Sequence, residues 1–143
     1  MEIAQLIAGR ASSEIVTCDV TMSVREVVGI LAEKRIGAIP VMEAGKVAGI
    51  FSERDIVYRL ASEGSACLNH AVGSVMTAPA ITVDPRKTVL EALGLMTRRR
   101  IRHLPVVEGD HMCGFISIGD LVKSRMDEIS TEAEALREYI QTA

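Results

Sequence analysis

The polar residues most able to do chemistry in this chain come as two pairs at one spacing: Ser52 with Asp55, and Ser117 with Asp120. A serine followed three residues later by a carboxylate fits a helix-start pattern, with Asp in place of the usual Glu, in which each side chain satisfies a backbone N–H that the first turn leaves without a partner. The basic residues are of two kinds. Arg98-Arg99-Arg100 closes a predicted helix, where cations favour the negative end of the dipole, and reads as a solvated cluster. Arg102 and His103 fall on a predicted strand, where the dipole does not account for them, although His103 also fits a packed strand histidine. His103 and His111 lie across one predicted hairpin without a carboxylate or cysteine at ligand spacing, so no metal site is expected. There is no G-x-S-x-G, no G-x-x-x-x-G-K, no H-E-x-x-H and no framed Cys–His pair, so no enzyme is expected.

The elements that position these residues occur twice. Residue i matches residue i+65 without a gap: Thr17 with Thr82, Asp19 with Asp84, Val24 with Val89, Glu26 with Glu91, Arg35-Ile36 with Arg100-Ile101, Pro40-Val41 with Pro105-Val106, and Gly49, Ser52 and Asp55 with Gly114, Ser117 and Asp120. Roughly a third of the positions from Ile15 to Arg59 are identical to their counterparts, and about a third of the others exchange one aliphatic residue for another. Such self-similarity marks an internal duplication. Each copy begins with a short apolar strand, Ile15-Val16-Thr17 or Ala80-Ile81-Thr82-Val83. A capping box, Ser23 to Glu26 or Thr88 to Glu91, then starts a helix. Val24, Val27, Val28 and Leu31 give that helix one buried stripe, as do Val89, Ala92, Leu93 and Met96. Two strands joined by a turn follow: Ala38 to Met42 with Val47 to Phe51, and Leu104 to Val107 with Met112 to Ile116. A second helix begins after Ser52 and after Ser117. The predicted divisions are an N-terminal helical segment (1–14), a first unit (15–62), a linker rich in Ala, Ser and Gly (63–76), a second unit (77–126) and a C-terminal helical extension (127–143). In the extension Ala133, Leu136 and Ile140 form an apolar stripe suited to another element or a partner subunit.

Composition bounds the function. Of 143 residues 48% are hydrophobic and only 3% aromatic, with no Trp, so the core rests on aliphatic side chains and Met, and stacking platforms for single-stranded nucleic acid are not expected. A net charge of −3 offers no general attraction to nucleic acid or to anionic membranes. Cys18, Cys67 and Cys113 are scattered, which suits a reducing compartment without disulfides, and Cys113 on its strand reads as core. No signal-like leader or membrane-length apolar run is present, so a cytoplasmic location is expected.

A duplicated βαββα unit ending in Gly49-Ile50-Phe51-Ser52-Glu53-Arg54-Asp55 and Gly114-Phe115-Ile116-Ser117-Ile118-Gly119-Asp120, with Arg35 to Val41 and Arg100 to Val106 before it, resembles the cystathionine-β-synthase (CBS) domain family. It is most similar to the stand-alone pairs of bacteria and plant organelles. The resemblance implies an α+β fold in which two tandem units pack through their sheets with pseudo-two-fold symmetry. It also implies two clefts for adenosyl ligands such as AMP, ADP, ATP, NAD(H) or S-adenosylmethionine, and a homodimer of CBS pairs. On that reading Asp55 and Asp120 take ribose, and Ser52 and Ser117 offer helix N-termini to oxygen atoms. Ile36, Gly37 and Ala38, with Ile101, Arg102 and His103, lie along the base. Val16 and Ile81 cover its other face, and Thr77 reads its edge. Arg102 and His103 stand where related nucleotide sensors place phosphate-binding side chains. Their counterparts Gly37 and Ala38 carry no charge, so the clefts are unequal, with Arg54 adding a cation from the first copy. No cofactor is required, and the regulated target is a separate, unidentified protein. Two other functions compete: a ligand-free interaction scaffold, and a regulator of redox partners, to which the scattered cysteines lend no independent support.

Overall fold

A computed structural model describes residues 1–142. The elements run α1 (Ile3–Ile7), β1 (Cys18–Asp19), α2 (Val24–Lys34), β2 (Ala38–Glu43), β3 (Lys46–Ser52), α3 (Glu53–Glu63), α4 (Val89–Arg99), β4 (His103–Glu108), β5 (His111–Ser117) and α5 (Ile118–Thr142). Short 3-10 turns at Gly64–Asn69 and Val72–Ser74 lie between α3 and α4.

The duplication persists in three dimensions. β2 and β3 pair antiparallel with Ile39 opposite Phe51, and β4 and β5 pair with Leu104 opposite Ile116. Both ladders slip at the same place, after Val41 and after Val106. The apolar stripes face inward as expected: Val24, Val27 and Leu31 on α2, and Val89, Ala92 and Met96 on α4, are buried. Ser23 and Thr88 cap these helices by accepting the N–H groups of Glu26 and Glu91.

The short leading strands differ from expectation. β1 pairs parallel to β2 only at Cys18 and Asp19, and in the second unit a single bridge joins Val83 to Val106. Ile15 and Val16, like Ala80 and Ile81, sit outside any ladder because the chain there borders an open cleft rather than a neighbouring strand. The later strands also start late. Arg35 and Arg100 end their helices in the left-handed region. The carbonyls of Gly37 and Arg102 then accept the N–H groups of Glu53 and Ile118, so Arg102 lies on a bend just before β4 and not in the strand.

Each unit has its own core, and each is completed by a segment from the other half. Ile3 and Ile7 of α1 are buried among Val89, Leu104, Ile116 and Leu121 of the second unit. Val72 and Val75, from the segment read as a linker, are buried among Val24, Val41 and Phe51 of the first. The backbone bonds match: Ile3 N–H donates to the Lys87 carbonyl as Val72 N–H donates to that of Met22, and Ala4 to Pro85 as Gly73 to Val20. Val72 follows Ile3 by 69 residues while the repeat runs at 65, so the first leading segment carries four extra residues, 8–11.

This exchange explains the glycine of the repeated motif. A Cβ on Gly49 would lie 2.6 Å from the Thr77 carbonyl oxygen, and one on Gly114 would lie 3.0 Å from Ile7 Cδ1. At Gly49 only hydrogen leaves room for the crossing backbone, while at Gly114 a methyl would require the Ile7 side chain to shift. Two core expectations are corrected. Met126 is exposed on the outer face of α5 rather than filling the core. Cys113 is only half-buried, because its strand position borders a cavity.

Candidate functional site

Two cavities of similar size lie between the units, about 270 Å³ and about 290 Å³. The first is bounded by Gly37, Ala38, Ile50, Ser52, Glu53 and Arg54 from the first unit, by the crossing segment Thr77, Pro79, Ala80 and Ile81, and by Arg100, Ile101, Arg102 and His103. The second is bounded by Arg10, Ala11, Glu14, Ile15 and Val16, by Ile36 and Ala38, and by His103, Cys113, Gly114, Phe115, Ser117 and Asp120. Ala38 and His103, the first residues of β2 and β4, border both cavities.

Of the residues singled out from the sequence, Gly37, Ala38, Ser52, Arg54, Thr77, Ile81, Ile101, Arg102 and His103 meet in the first cavity. Val16, Ile36, Ser117 and Asp120 meet in the second. Asp55 borders neither. One of its oxygens takes the Ser52 N–H at 2.8 Å and the Ser52 hydroxyl at 3.0 Å. The other takes the Thr77 hydroxyl at 2.9 Å, so Thr77 stands between this carboxylate and the cavity. Ser52 in turn accepts the Asp55 N–H, the reciprocal cap read from the sequence. Ser117 and Asp120 form the same pair, with Ser117 N–H donating to Asp120 at 2.9 Å and Asp120 N–H donating back to Ser117 at 3.1 Å.

The sequence reading missed Arg100 and Arg10. Charge patterning puts Arg100 in a solvated cluster, but the left-handed turn that ends α4 brings it to the first cavity, where its carbonyl accepts a bond from Arg54 Nη1 at 3.1 Å. Three arginines, Arg54, Arg100 and Arg102, therefore border this cavity with one acidic residue, Glu53. Arg10 lies in the four-residue extension, for which the second copy offers no counterpart to draw attention to it. Its guanidinium donates to both oxygens of Asp120, at 3.3 and 3.4 Å. Burial works against an ionised Asp120, yet the Ser117 N–H and the Arg10 guanidinium outweigh it and hold the carboxyl below the usual range.

His103 stacks on Phe115 with ring centroids 5.5 Å apart. Burial lowers its pKa against the pull of Asp120 and Glu53, and Arg102 adds to the lowering. The ring is thus neutral at pH 7 and serves as a flat wall with one polar edge. Burial and the neighbouring Asp19 push the Cys18 thiol up to about 11, and burial also raises Cys113. Neither is a thiolate at neutral pH, the form that redox exchange requires.

The CBS-domain family model matches residues 5–62 and 72–127. The chain belongs to the CBS-domain family. It is 36% identical over 129 residues to the mitochondrial CBS domain-containing protein CBSX3 of Arabidopsis thaliana, with 87% of this chain aligned. The match spans 63% of that plant protein's length. The crystal structure of the CBS-domain containing protein ATU1752 from Agrobacterium tumefaciens is 36% identical and superposes with a TM-score of 0.81, covering 87% of this chain and 99% of that one. CBSX2, solved in complex with AMP, shares the fold at 21% identity and a TM-score of 0.75, over 88% of this chain and 96% of its own. Among the described residues no helix is long and apolar enough to cross a membrane.

Proposed function

We propose that this CBS pair is a non-catalytic regulatory module that binds an adenine nucleotide between its two units and passes that state to a separate protein. The observation that carries the reading is the first cavity. Cations from both units gather on an apolar slot, and hydroxyls backed by a carboxylate stand in the same wall. Its volume is near the lower end of the roughly 300–1,000 Å³ usual for small-molecule sites. Gly37, Ala38, Ile81 and Ile101 would hold the base. Ser52 and Thr77 would meet the ribose, with Asp55 accepting a sugar hydroxyl once the Thr77 hydroxyl turns aside. Arg54 and Arg102 would hold phosphate through charge-assisted bonds. The AMP of CBSX2, within the same fold, supports an adenosyl ligand, and AMP, ADP, ATP and NAD(H) are the candidates. In the second cavity Val16, Ile36, Ser117 and Asp120 would play the corresponding parts.

A homodimer of pairs forms part of the proposal. Val57, Tyr58 and Leu60 on α3, and Val122, Met126 and Ile129 on α5, are exposed. The accessible surface is 8922 Å², against about 7,200 Å² for a monomer of this mass. The same faces favour a second reading, a scaffold whose cavities stay empty.

Calorimetry with AMP and adenosine separates these readings. Charge-assisted bonds contribute about 1.5–3 kcal/mol each, and Arg102 is solvent-exposed, so the lower end applies. Arg102→Ala should weaken AMP about tenfold and leave adenosine nearly unchanged. An unaltered AMP-to-adenosine ratio would remove the phosphate assignment, and silence from every adenosyl compound would leave the scaffold reading.

A further inference from the structure

The two cavities are related by the repeat but carry different charge. Where the first has Arg54 and Arg102, the 65-residue repeat puts Gly119 and Gly37. Arg35, the counterpart of Arg100, does not border the second cavity. Neither glycine borders the second cavity either, so none of the first cavity's three arginines has a counterpart in its lining. The charged groups that do border it are Arg10, Glu14 and Asp120, one cation against two carboxylates, and the cation is already bonded to Asp120. Thr77 approaches the carboxylate of the first unit through one hydroxyl, while Arg10 spans both oxygens of its equivalent, so in the second cavity the sugar-facing carboxylate is closed by a guanidinium.

We infer that the second cavity is a nucleoside site rather than a nucleotide site: it takes an adenosine derivative with no phosphate at its 5′ end, and Arg10 is the residue that sets its affinity. The inference rests on the adenosyl reading above. A phosphorylated ligand would set its negative charge beside Glu14 and Asp120, in a cavity whose one bordering cation is already bonded to Asp120. An unphosphorylated one needs only the ribose contact. To make it, the sugar hydroxyls replace Arg10 on Asp120. Arg10 is exposed and its bonds to Asp120 are long, so the exchange costs little, and releasing Arg10 in advance should strengthen binding about three- to fivefold. The four extra residues of the first leading segment are what carry Arg10 to this position, and the second copy has no equivalent.

The test uses the full chain saturated with AMP, into which adenosine is titrated. One equivalent of adenosine should still bind, and Arg10→Ala and Arg10→Gln should each tighten that step about three- to fivefold, with the melting temperature of the ligand-free chain lowered by only about 2–3 °C. If AMP abolishes adenosine binding by filling both cavities, or if either variant weakens the adenosine step or leaves it unaltered, the inference is overturned. If AMP fails to bind but adenosine binds more tightly to the Arg10 variants, the nucleotide reading of the first cavity fails while the nucleoside site stands.

Discussion

The glycines at the crossing points can be turned against each other. Gly49→Ala and Gly114→Ala are the same change at equivalent positions of the repeat, but their neighbours differ. At Gly49 the new methyl would stand 2.6 Å from the Thr77 carbonyl oxygen and 2.7 Å from Met76 Sδ. Thr77 and Ile50 exchange two backbone hydrogen bonds, so that carbonyl cannot withdraw without breaking the bridge. At Gly114 the methyl would meet Ile7 Cδ1 at 3.0 Å and Cγ2 at 3.2 Å, the ends of a side chain that can rotate. Overpacking costs about 1–3 kcal/mol, and replacing glycine by alanine returns about 0.4–1 kcal/mol through a less flexible unfolded chain. The net destabilisation is about 2 kcal/mol for Gly49→Ala and between about 0 and 1 kcal/mol for Gly114→Ala. In urea, with a slope of about 2 kcal/mol per molar, the first midpoint should fall by about 1 M and the second by less than half of that. Gly49→Ala should also reduce AMP affinity, since it displaces Thr77 from the wall of the first cavity. Equal falls in the two midpoints, or a larger fall for Gly114→Ala, would refute the argument that an immovable carbonyl distinguishes the sites.

Two further outcomes follow from protonation. The folded protein resists protonating His103, whose pKa lies below the ordinary 6.5, while the unfolded chain takes up that proton normally. The unfolding free energy should therefore decline as pH falls through about 6.5, and level off once His103 is protonated in the folded state. His103→Gln should flatten that decline, and an identical slope in the variant, followed by urea titration between about pH 7.5 and pH 5.5, would count against it. The Cys18 thiol, pushed up to about 11 and buried, should resist a disulfide reagent at about pH 8 until the protein unfolds. Half-buried Cys113 should react first, and Cys18 labelling at the rate of an unfolded thiol would contradict the assignment.

Much of the architecture was legible because the repeat states it twice. The capping boxes at Ser23 and Thr88, the stripes on α2 and α4 and both hairpins follow from local patterns that tertiary packing reinforces. The leading strands were not legible, since Ile15-Val16 and Ala80-Ile81 have strand composition but border cavities where no partner strand exists. The exchange of α1 and Val72–Ser74 was hidden because short apolar segments do not say which core they enter. Within the candidate site, residues of the repeated motif were found, whereas Arg10 and Arg100 were not. One lies in an extension that breaks the repeat, and the other reaches the cavity only through a left-handed turn that charge patterning does not reveal.

The exchanged segments also bear on how the chain is made. Since α1 seats among Leu104, Ile116 and Leu121, it has nowhere to dock while a ribosome is still producing the first hundred or so residues. The first half, by contrast, closes as soon as Val72 and Val75 emerge. Synthesis thus leaves one half settled early while the other waits for the beginning of the chain to return to it, and an excised second half lacking α1 would expose the aliphatic groove that Ile3 and Ile7 fill.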